Sequence, residues 1–335
     1  MYKITIIIPL KGREYYTEVF LKENIRHDCF YIFADGSEDD QHKELFQKIK
    51  NKNIQYIKYP TDLNMLMFQT KIFKTSLLVK TKYTMTADND DFINYDGVYK
   101  CINFLNKNKD YGFAGGPIFS LNRSHSNILN KQSIISTNSD LHKIKYKIIP
   151  EYVDLNKNLD GYENLEGMKR SLSSQIETYY VGYSIFRTEI FSNIRRDLIE
   201  SNIKDIHFHE LFESTFAFYH GKYKHLNSNH YIRLSNVVGS SAGIIKEHLP
   251  VRLILEESTR NQLSIFIKYI QKKCNIDQDE ANDMVISFFR KRKKYYEHNR
   301  FYILFCYYLL RQYYSLKNIK KIISAIILIS NIFKK

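Results

Sequence analysis

The chain is poor in the features that mark several protein classes. Its four cysteines, Cys29, Cys101, Cys274 and Cys306, form no CxxC pair and no metal-ligand spacing. This excludes a disulfide framework and a zinc module of the usual kind. Cys29 and Cys101 sit among apolar neighbours and are expected in the core, and a reducing cytoplasm fits such cysteine usage. No apolar run reaches the roughly 20 residues that a bilayer core demands. The two late candidates, Phe301 to Leu310 and Ile322 to Phe333, are too short to cross. No small-residue cleavage site follows the first apolar stretch, so no signal peptide is read. Internal repeats are also lacking after Pro250, and 44% hydrophobic with 26% charged residues excludes long disorder.

What is abundant is positive charge. The formal net charge is +14, and residues 241–335 hold 18 Lys or Arg against 8 Asp or Glu. A basic surface is therefore expected in the C-terminal region. Charge of this kind attracts nucleic acid, an anionic membrane or a phosphorylated substrate without choosing among them, and it also describes a solvated helix face. The Ile322 to Phe333 run is flanked by Lys317, Lys320, Lys321, Lys334 and Lys335. That pattern suits a helix lying on an anionic leaflet, and equally a helix packed on the protein.

Along the first 120 residues, short apolar runs alternate with longer amphipathic ones, the sequence form of a parallel sheet covered by helices. Strands are predicted at Ile4 to Pro9, Phe30 to Ala34, Ile54 to Tyr59, Tyr83 to Ala87 and Gly112 to Phe119. Leu63, Leu66, Met67, Thr70, Phe73 and Leu77 recur at helical spacing and predict one buried helix face. Residues 120–175 are rich in Asn, Ser and Lys with little periodicity, which predicts a long loop at a substrate rim. A helix is expected from Thr188 and a second from Asp205, with Phe208, Leu211, Phe212, Thr215 and Tyr219 on one face and Glu210 and Glu213 off it. After Pro250 only helical signals remain, so a boundary is placed near residue 245.

The strongest chemical signal is Thr86-Ala87-Asp88-Asn89-Asp90-Asp91-Phe92, three carboxylates and an amide directly after an apolar strand. Carboxylates crowded there repel one another unless a cation joins them, and hard oxygen ligands suit Mg2+ or Mn2+. A cation so held can neutralise a diphosphate leaving group. The alternative is an Asp/Asn-rich turn capping the next helix. Position favours the site, because open parallel sheets bind ligands outside the carboxyl ends of their strands. Asp35-Gly36-Ser37 follows a strand in the same way, and its carboxylate can meet a base or ribose, or simply form a turn. Pro9-Leu10-Lys11-Gly12-Arg13 closes the first strand, where Lys11 and Arg13 can meet phosphate or simply start a helix.

Strand-Pro, strand-Asp-Gly-Ser and strand-Asp-x-Asp, in this order and spacing, resemble family 2 glycosyltransferases. The likeness is greatest to a bacterial subgroup with a Pro-Leu-Lys-Gly-Arg opening and an Ala-Asp-Asn-Asp-Asp-Phe metal motif, and it covers about residues 1–240. The resemblance implies the GT-A fold, a Rossmann-like, mostly parallel α/β sheet with helices on both faces, followed by a helical C-terminal appendage. It divides the chain into a GT-A domain over 1–245, with a nucleotide-binding half at 1–119 and an acceptor half at 120–245, and a basic helical region at 246–335. Carried over residue by residue, it assigns Pro9, Leu10 and Asp35 to the nucleoside, and Asp88 and Asp90 to ribose and metal-diphosphate, with Asn89 beside them. The family's carboxylate base falls on Glu210, with Glu213 one turn on as its rival. Lys71 matches a lysine of the subgroup that contacts phosphate, although a solvated helix lysine reads equally from the residues. His230 stands where a family ligand to metal or diphosphate sits, with Arg233 close by. Three departures are plain: Ala34 replaces the usual first Asp of Asp-Asp-Gly-Ser, the first loop lacks Tyr-Asn, and a chain without Trp has no Gln-x-x-Arg-Trp of processive synthases.

The resulting expectation is an inverting, metal-dependent transferase using a UDP-type sugar donor, with Mn2+ or Mg2+ at Asp88 and Asp90. Its acceptor would be a bacterial surface glycan or lipid-linked hydroxyl, met on the inner face of the cytoplasmic membrane, and no nucleic-acid partner is expected. Competing readings are a nucleotidyltransferase or phosphotransferase, for which Lys11-Gly12-Arg13 makes a poor phosphate loop, and a non-catalytic basic scaffold that binds membrane or nucleic acid.

Overall fold

The computed structural model describes residues 2–123, 146–149, 160–173, 178–235 and 257–291. It begins with β1 (Ile4–Leu10), whose seven residues are all buried. A strand apolar on both faces belongs in the middle of a helix-covered sheet. β1 pairs in parallel with β2 (Cys29–Asp35) on one side and β4 (Tyr83–Thr86) on the other, and β3 (Ile54–Lys58) extends the sheet beyond β2. The connecting helices are α1 (Glu14–Glu23), α2 (Gln41–Gln47) and α3 (Met65–Ser76). Beyond β4 come β5 (Phe92–Ile93), α4 (Tyr95–Lys107), β6 (Tyr111–Gly115), β7 (Ile118–Arg123) and β8 (Tyr146–Ile149). Next follow α5 (Asn164–Ser173), a 3-10 turn (Thr178–Tyr183), β9 (Ile185–Arg187), α6 (Thr188–Ser201), α7 (Ile206–His220), β10 (Lys222–His225) and β11 (Tyr231–Ser235).

The main sheet has seven strands in the order β10-β6-β9-β4-β1-β2-β3, and β9 alone runs antiparallel to its neighbours. A second sheet of four strands has the order β5-β11-β7-β8. The fold is thus the mixed α/β, mostly parallel architecture expected. α4 follows the helical pattern closely, burying Val98, Cys101, Ile102 and Leu105. Asp205 caps α7 by accepting from the His207 and Phe208 backbone amides.

Three expectations change. The strand expected over 112–119 is two strands in different sheets. The chain bends between them where Gly116 passes another backbone: a Cβ there would lie 2.1 Å from the Ser228 carbonyl oxygen. The loop expected over 120–175 contains β7, β8 and α5, whose short, polar stretches hid them from a periodicity reading. The stripe expected to be buried on α3 faces outward, with Leu63 77% and Leu77 59% exposed. The inward face is Gln69, Ile72, Thr75 and Ser76, because the neighbours of α3 are polar: Gln69 accepts from Arg195 Nη1 at 2.9 Å and Thr75 donates to Tyr59 Oη at 3.0 Å.

Two helices of the C-terminal region are described, α8 (Glu257–Cys274) and α9 (Gln278–Lys291). Phe266 of α8 packs on Phe208 and Phe212 of α7, Lys273 pairs with Asp197 of α6, and Lys169 of α5 pairs with Glu280 of α9. Their apolar residues join the main hydrophobic cluster. The boundary expected near residue 245 and the runs Phe301 to Leu310 and Ile322 to Phe333 lie outside the described residues, as does Cys306. Among the described residues no helix is long and apolar enough to cross a membrane. Cys29 and Cys101 are buried, and burial lifts both thiols, to about 11 and about 12.

Candidate functional site

The carboxyl ends of β1, β2 and β4 are neighbours in the sheet, so the three segments that follow them share one edge. After β4 the chain turns through Asp88, Asn89, Asp90 and Asp91, and carboxylate oxygens of the three aspartates lie within 4.8 Å of one another. Burial and the charge of Asp88 push Asp90 up to about 6 despite the nearby Arg13 guanidinium. Burial, with the charges of Asp90 and Asp88, raises Asp91 well above the usual carboxylate range. Such crowding of anions is held by a specific set of donors.

Asp91 is the most committed of the three. Its Oδ2 accepts from Tyr231 Oη at 2.8 Å and its Oδ1 from the Leu234 amide at 2.8 Å. It therefore ties the aspartate turn to β11. Asp88 Oδ2 accepts from Tyr183 Oη at 2.7 Å, and the Asp88 amide donates to Tyr231 Oη at 2.9 Å. The two tyrosine rings stack at 4.3 Å. Asp90 Oδ2 accepts from Arg13 Nη1 at 2.7 Å. The bonds described to Asp88 and Asp90 each involve a single oxygen, whereas both Asp91 oxygens are taken. The donor set thus fits a hard divalent cation held by Asp88 and Asp90, since Mg2+ and Mn2+ commonly take one or two carboxylates and complete their shells with water and phosphate oxygens. Asn89 points into the protein, donating to Thr17 Oγ1 at 2.9 Å and to the Arg13 carbonyl at 3.3 Å. It fixes the turn against α1.

The first loop is conformationally unusual. Gly12 and Arg13 both have left-handed backbones, φ 63° and 66°, which costs a non-glycine residue roughly 1–2 kcal/mol. That conformation lets the Gly12 amide donate to Ser37 Oγ at 2.8 Å and sets the Arg13 side chain over Asp90. Pro9 and Leu10 are buried within β1 and present backbone rather than side chains. Lys11 is exposed on the loop, its Nζ donating to the Asp62 carbonyl at 2.6 Å.

Asp35 is wholly buried at the end of β2. It accepts from the Ser37 amide at 2.8 Å, Tyr56 Oη at 2.7 Å and Lys58 Nζ at 3.1 Å. Burial pushes its carboxyl up, but these hydrogen bonds outweigh burial and hold it below the usual range. Asp35, expected to touch the nucleoside, also shapes the turn after β2 through these bonds. Gly36 is required in that turn, because a Cβ there would lie 2.3 Å from the Asp62 carboxylate.

Lys71 differs from the expectation of a solvated helix lysine. It is 2% exposed, its Nζ donates to the Leu10 carbonyl at 2.9 Å, and it forms an ion pair with Asp62. Its charge is spent under the first loop. His230, expected as a metal ligand, is completely buried, and both ring nitrogens are engaged: the Gly116 amide donates to Nδ1 at 3.1 Å and Nε2 meets the Tyr183 carbonyl at 3.1 Å. It is a packing histidine that joins β11 to the turn beside Asp88.

Glu210 and Glu213 lie one turn apart on α7, both half-buried. Glu213 makes a two-point ion pair with the buried Arg195 and backs onto Gly182 of the 3-10 turn. The next residue of that turn, Tyr183, holds Asp88, so this face of α7 borders the aspartate edge. The residues that sequence reasoning missed are Tyr183, Tyr231, Asp62 and Arg195. None has a local signal, since each is brought to the site from a distant part of the chain. A cavity of about 610 Å3 lies between α5 and α9, lined by Glu166, Arg170 and Asp283 among others, away from this edge.

No family model matches the sequence, and no curated protein matches it either. Solved structures do match the fold. S. aureus TarS 1-349 aligns over 96% of this chain and 78% of its own, with TM-score 0.57 and 10% identity. Its complex with UDP-GlcNAc aligns over 96% and 79%, with TM-score 0.55 and 12% identity. A longer TarS structure gives TM-score 0.50 and 11% identity over 87% of this chain, which spans 43% of that one. The chain therefore has the GT-A fold, with an aspartate cluster at the carboxyl edge of its sheet.

Proposed function

We propose that the protein is an inverting, metal-dependent glycosyltransferase that moves a sugar from a UDP-type donor to a hydroxyl of a bacterial surface glycan or lipid-linked acceptor. The observation that carries this reading is the convergence of Asp88 and Asp90 at the carboxyl end of β4, in the fold of a protein crystallised with UDP-GlcNAc. Asp88 and Asp90 would hold Mn2+ or Mg2+, which supplies positive charge to the departing diphosphate. Lys11 and Arg13 are the side-chain cations at the end of β1 and suit the diphosphate oxygens. Asp35, Asn89 and Lys71 act one step back: they fix the loop and turn that the nucleotide meets. Glu210 is the base, taking the proton of the acceptor hydroxyl as that oxygen attacks the anomeric carbon and the sugar–diphosphate bond breaks. Glu213, spent on Arg195, keeps α7 in place.

The test is a panel of nucleotide sugars scored by thermal stabilisation with and without Mn2+. A ligand at 100 times its Kd adds about 2.7 kcal/mol to stability. UDP-sugars are expected to stabilise the protein only when Mn2+ is present. Stabilisation by free nucleoside triphosphates but by no nucleotide sugar would favour a nucleotidyltransferase instead.

A further inference from the structure

We infer that the outward face of α3 is a membrane-docking surface that seats the protein on an anionic bilayer. The amphipathic repeat of Leu63, Leu66, Met67, Phe73 and Leu77 has the spacing of a buried stripe, yet the structure turns it to solvent. Leu63, Leu77 and Leu78 are 77%, 59% and 46% exposed, and Leu66, Met67 and Phe73 are half-exposed. From Leu66 to the C-cap Leu77 the stripe runs about 17 Å along the helix axis at 1.5 Å per residue, with Leu63 just before the helix. A contiguous apolar face of this kind on a water-exposed helix marks an interaction site.

Charge selects the partner. Between Leu63 and Ala87 there are four lysines and no Asp or Glu. Lys71 is buried, but Lys74 on the helix and Lys80 and Lys82 just beyond it are exposed. Leucine, methionine and phenylalanine edged by lysine, without acids, is the composition of a helix that lies in the headgroup layer of an anionic leaflet. The protein's net charge of +14 adds long-range attraction to the same partner.

The helix is held rigidly for this task. Its other face is bonded to the body of the protein through Gln69–Arg195, Thr75–Tyr59 and the buried Lys71–Asp62 pair. The stripe begins beside the donor edge, because Leu63 follows Asp62, whose carbonyl holds Lys11 of the first loop. Docking through α3 would thus bring that edge to the membrane surface, a consequence that rests on the proposed activity, whereas the docking itself does not.

The absence of tryptophan from the chain gives a direct test with the whole 335-residue chain and no donor. Leu77→Trp supplies a single tryptophan on the stripe, and Asp283→Trp supplies one on the exposed surface of α9. With vesicles containing phosphatidylglycerol, emission from Leu77→Trp is expected to shift to the blue and to be quenched by brominated acyl chains, while Asp283→Trp stays unchanged. In co-sedimentation, the triple change Leu63→Gln, Leu77→Gln, Leu78→Gln is expected to lower vesicle binding at least tenfold with its melting temperature intact. Lys74→Gln with Lys80→Gln is expected to weaken binding several-fold, and only to anionic vesicles. Vesicle binding by the triple variant equal to the parent would overturn the inference and move the contact elsewhere, the C-terminal segment included. Absence of parent binding would also overturn it, as would a triple variant that changes only the oligomeric state seen by light scattering, which would make the face a contact between copies.

Discussion

At the scale of single residues, two glutamates one helical turn apart carry opposite duties. Glu213 neutralises Arg195, which is 2% exposed, and removing one partner of a buried ion pair costs roughly 3–5 kcal/mol. Glu213→Gln is therefore expected to lower the melting temperature markedly. Glu210→Gln should leave the fold and UDP-sugar affinity in place while kcat drops roughly 10² to 10⁴, the range for a lost general base. Chemical denaturation and steady-state kinetics on both variants separate the two. A stable Glu213→Gln enzyme without turnover, beside an active Glu210→Gln, would exchange the roles. The aspartate turn was legible in the sequence because its chemistry is local: three carboxylates within four residues after a strand. The bonding partners of Asp35, Lys71 and His230 were not, because they come from distant parts of the chain. Tyr56 and Lys58 take up Asp35, Asp62 takes up Lys71, and Gly116 and Tyr183 take up His230.

At the scale of elements, periodicity located α3 and α7 and gave the buried face of α7, but not that of α3. The inward face of α7 is apolar and matches its stripe, with Phe208, Leu211, Phe212 and Thr215 buried. α3 inverts the rule, since its inward side meets Arg195, Tyr59 and Asp62 and is polar for that reason. Two buried histidines tie elements together and give them a pH dependence. His209 holds the α6–α7 connection through a 2.7 Å contact with the Ile203 carbonyl, and His230 joins β11 to Gly116. Burial lowers both, to about 4. An unfolded histidine titrates near 6.5, so between about 6.5 and 4 the unfolded chain binds more protons than the folded one. The stability these residues contribute is therefore complete above pH 6.5 and is lost as the pH falls toward 4. Asp90, raised to about 6, works in the opposite sense over the lower part of that window. Urea midpoints at pH 7.5 and 5.0 are expected to fall less for His230→Asn than for the parent. An equal fall in both would remove His230 from the account.

At the scale of the whole molecule, alternating strands and helices over the first 120 residues were enough to expect a parallel sheet covered by helices, because each βαβ unit is written in contiguous sequence, whereas the GT-A fold was expected from the resemblance. The second sheet was hidden, since β5, β7, β8 and β11 are gathered from across the chain. The C-terminal helices α8 and α9 were legible as helices, but their packing on α5, α6 and α7 was not. That packing makes α8 and α9 part of the same core. The proposed activity depends on a cation-assisted nucleotide site where β1, β2 and β4 end. Calorimetric titration of UDP into the full chain tests it most directly, with and without Mn2+, for the parent and for Asp90→Ala. UDP is expected to bind the parent only with Mn2+, and Asp90→Ala, folded normally by circular dichroism, is expected to bind at least 100-fold more weakly. Equal UDP affinity without the cation and in Asp90→Ala would contradict the account.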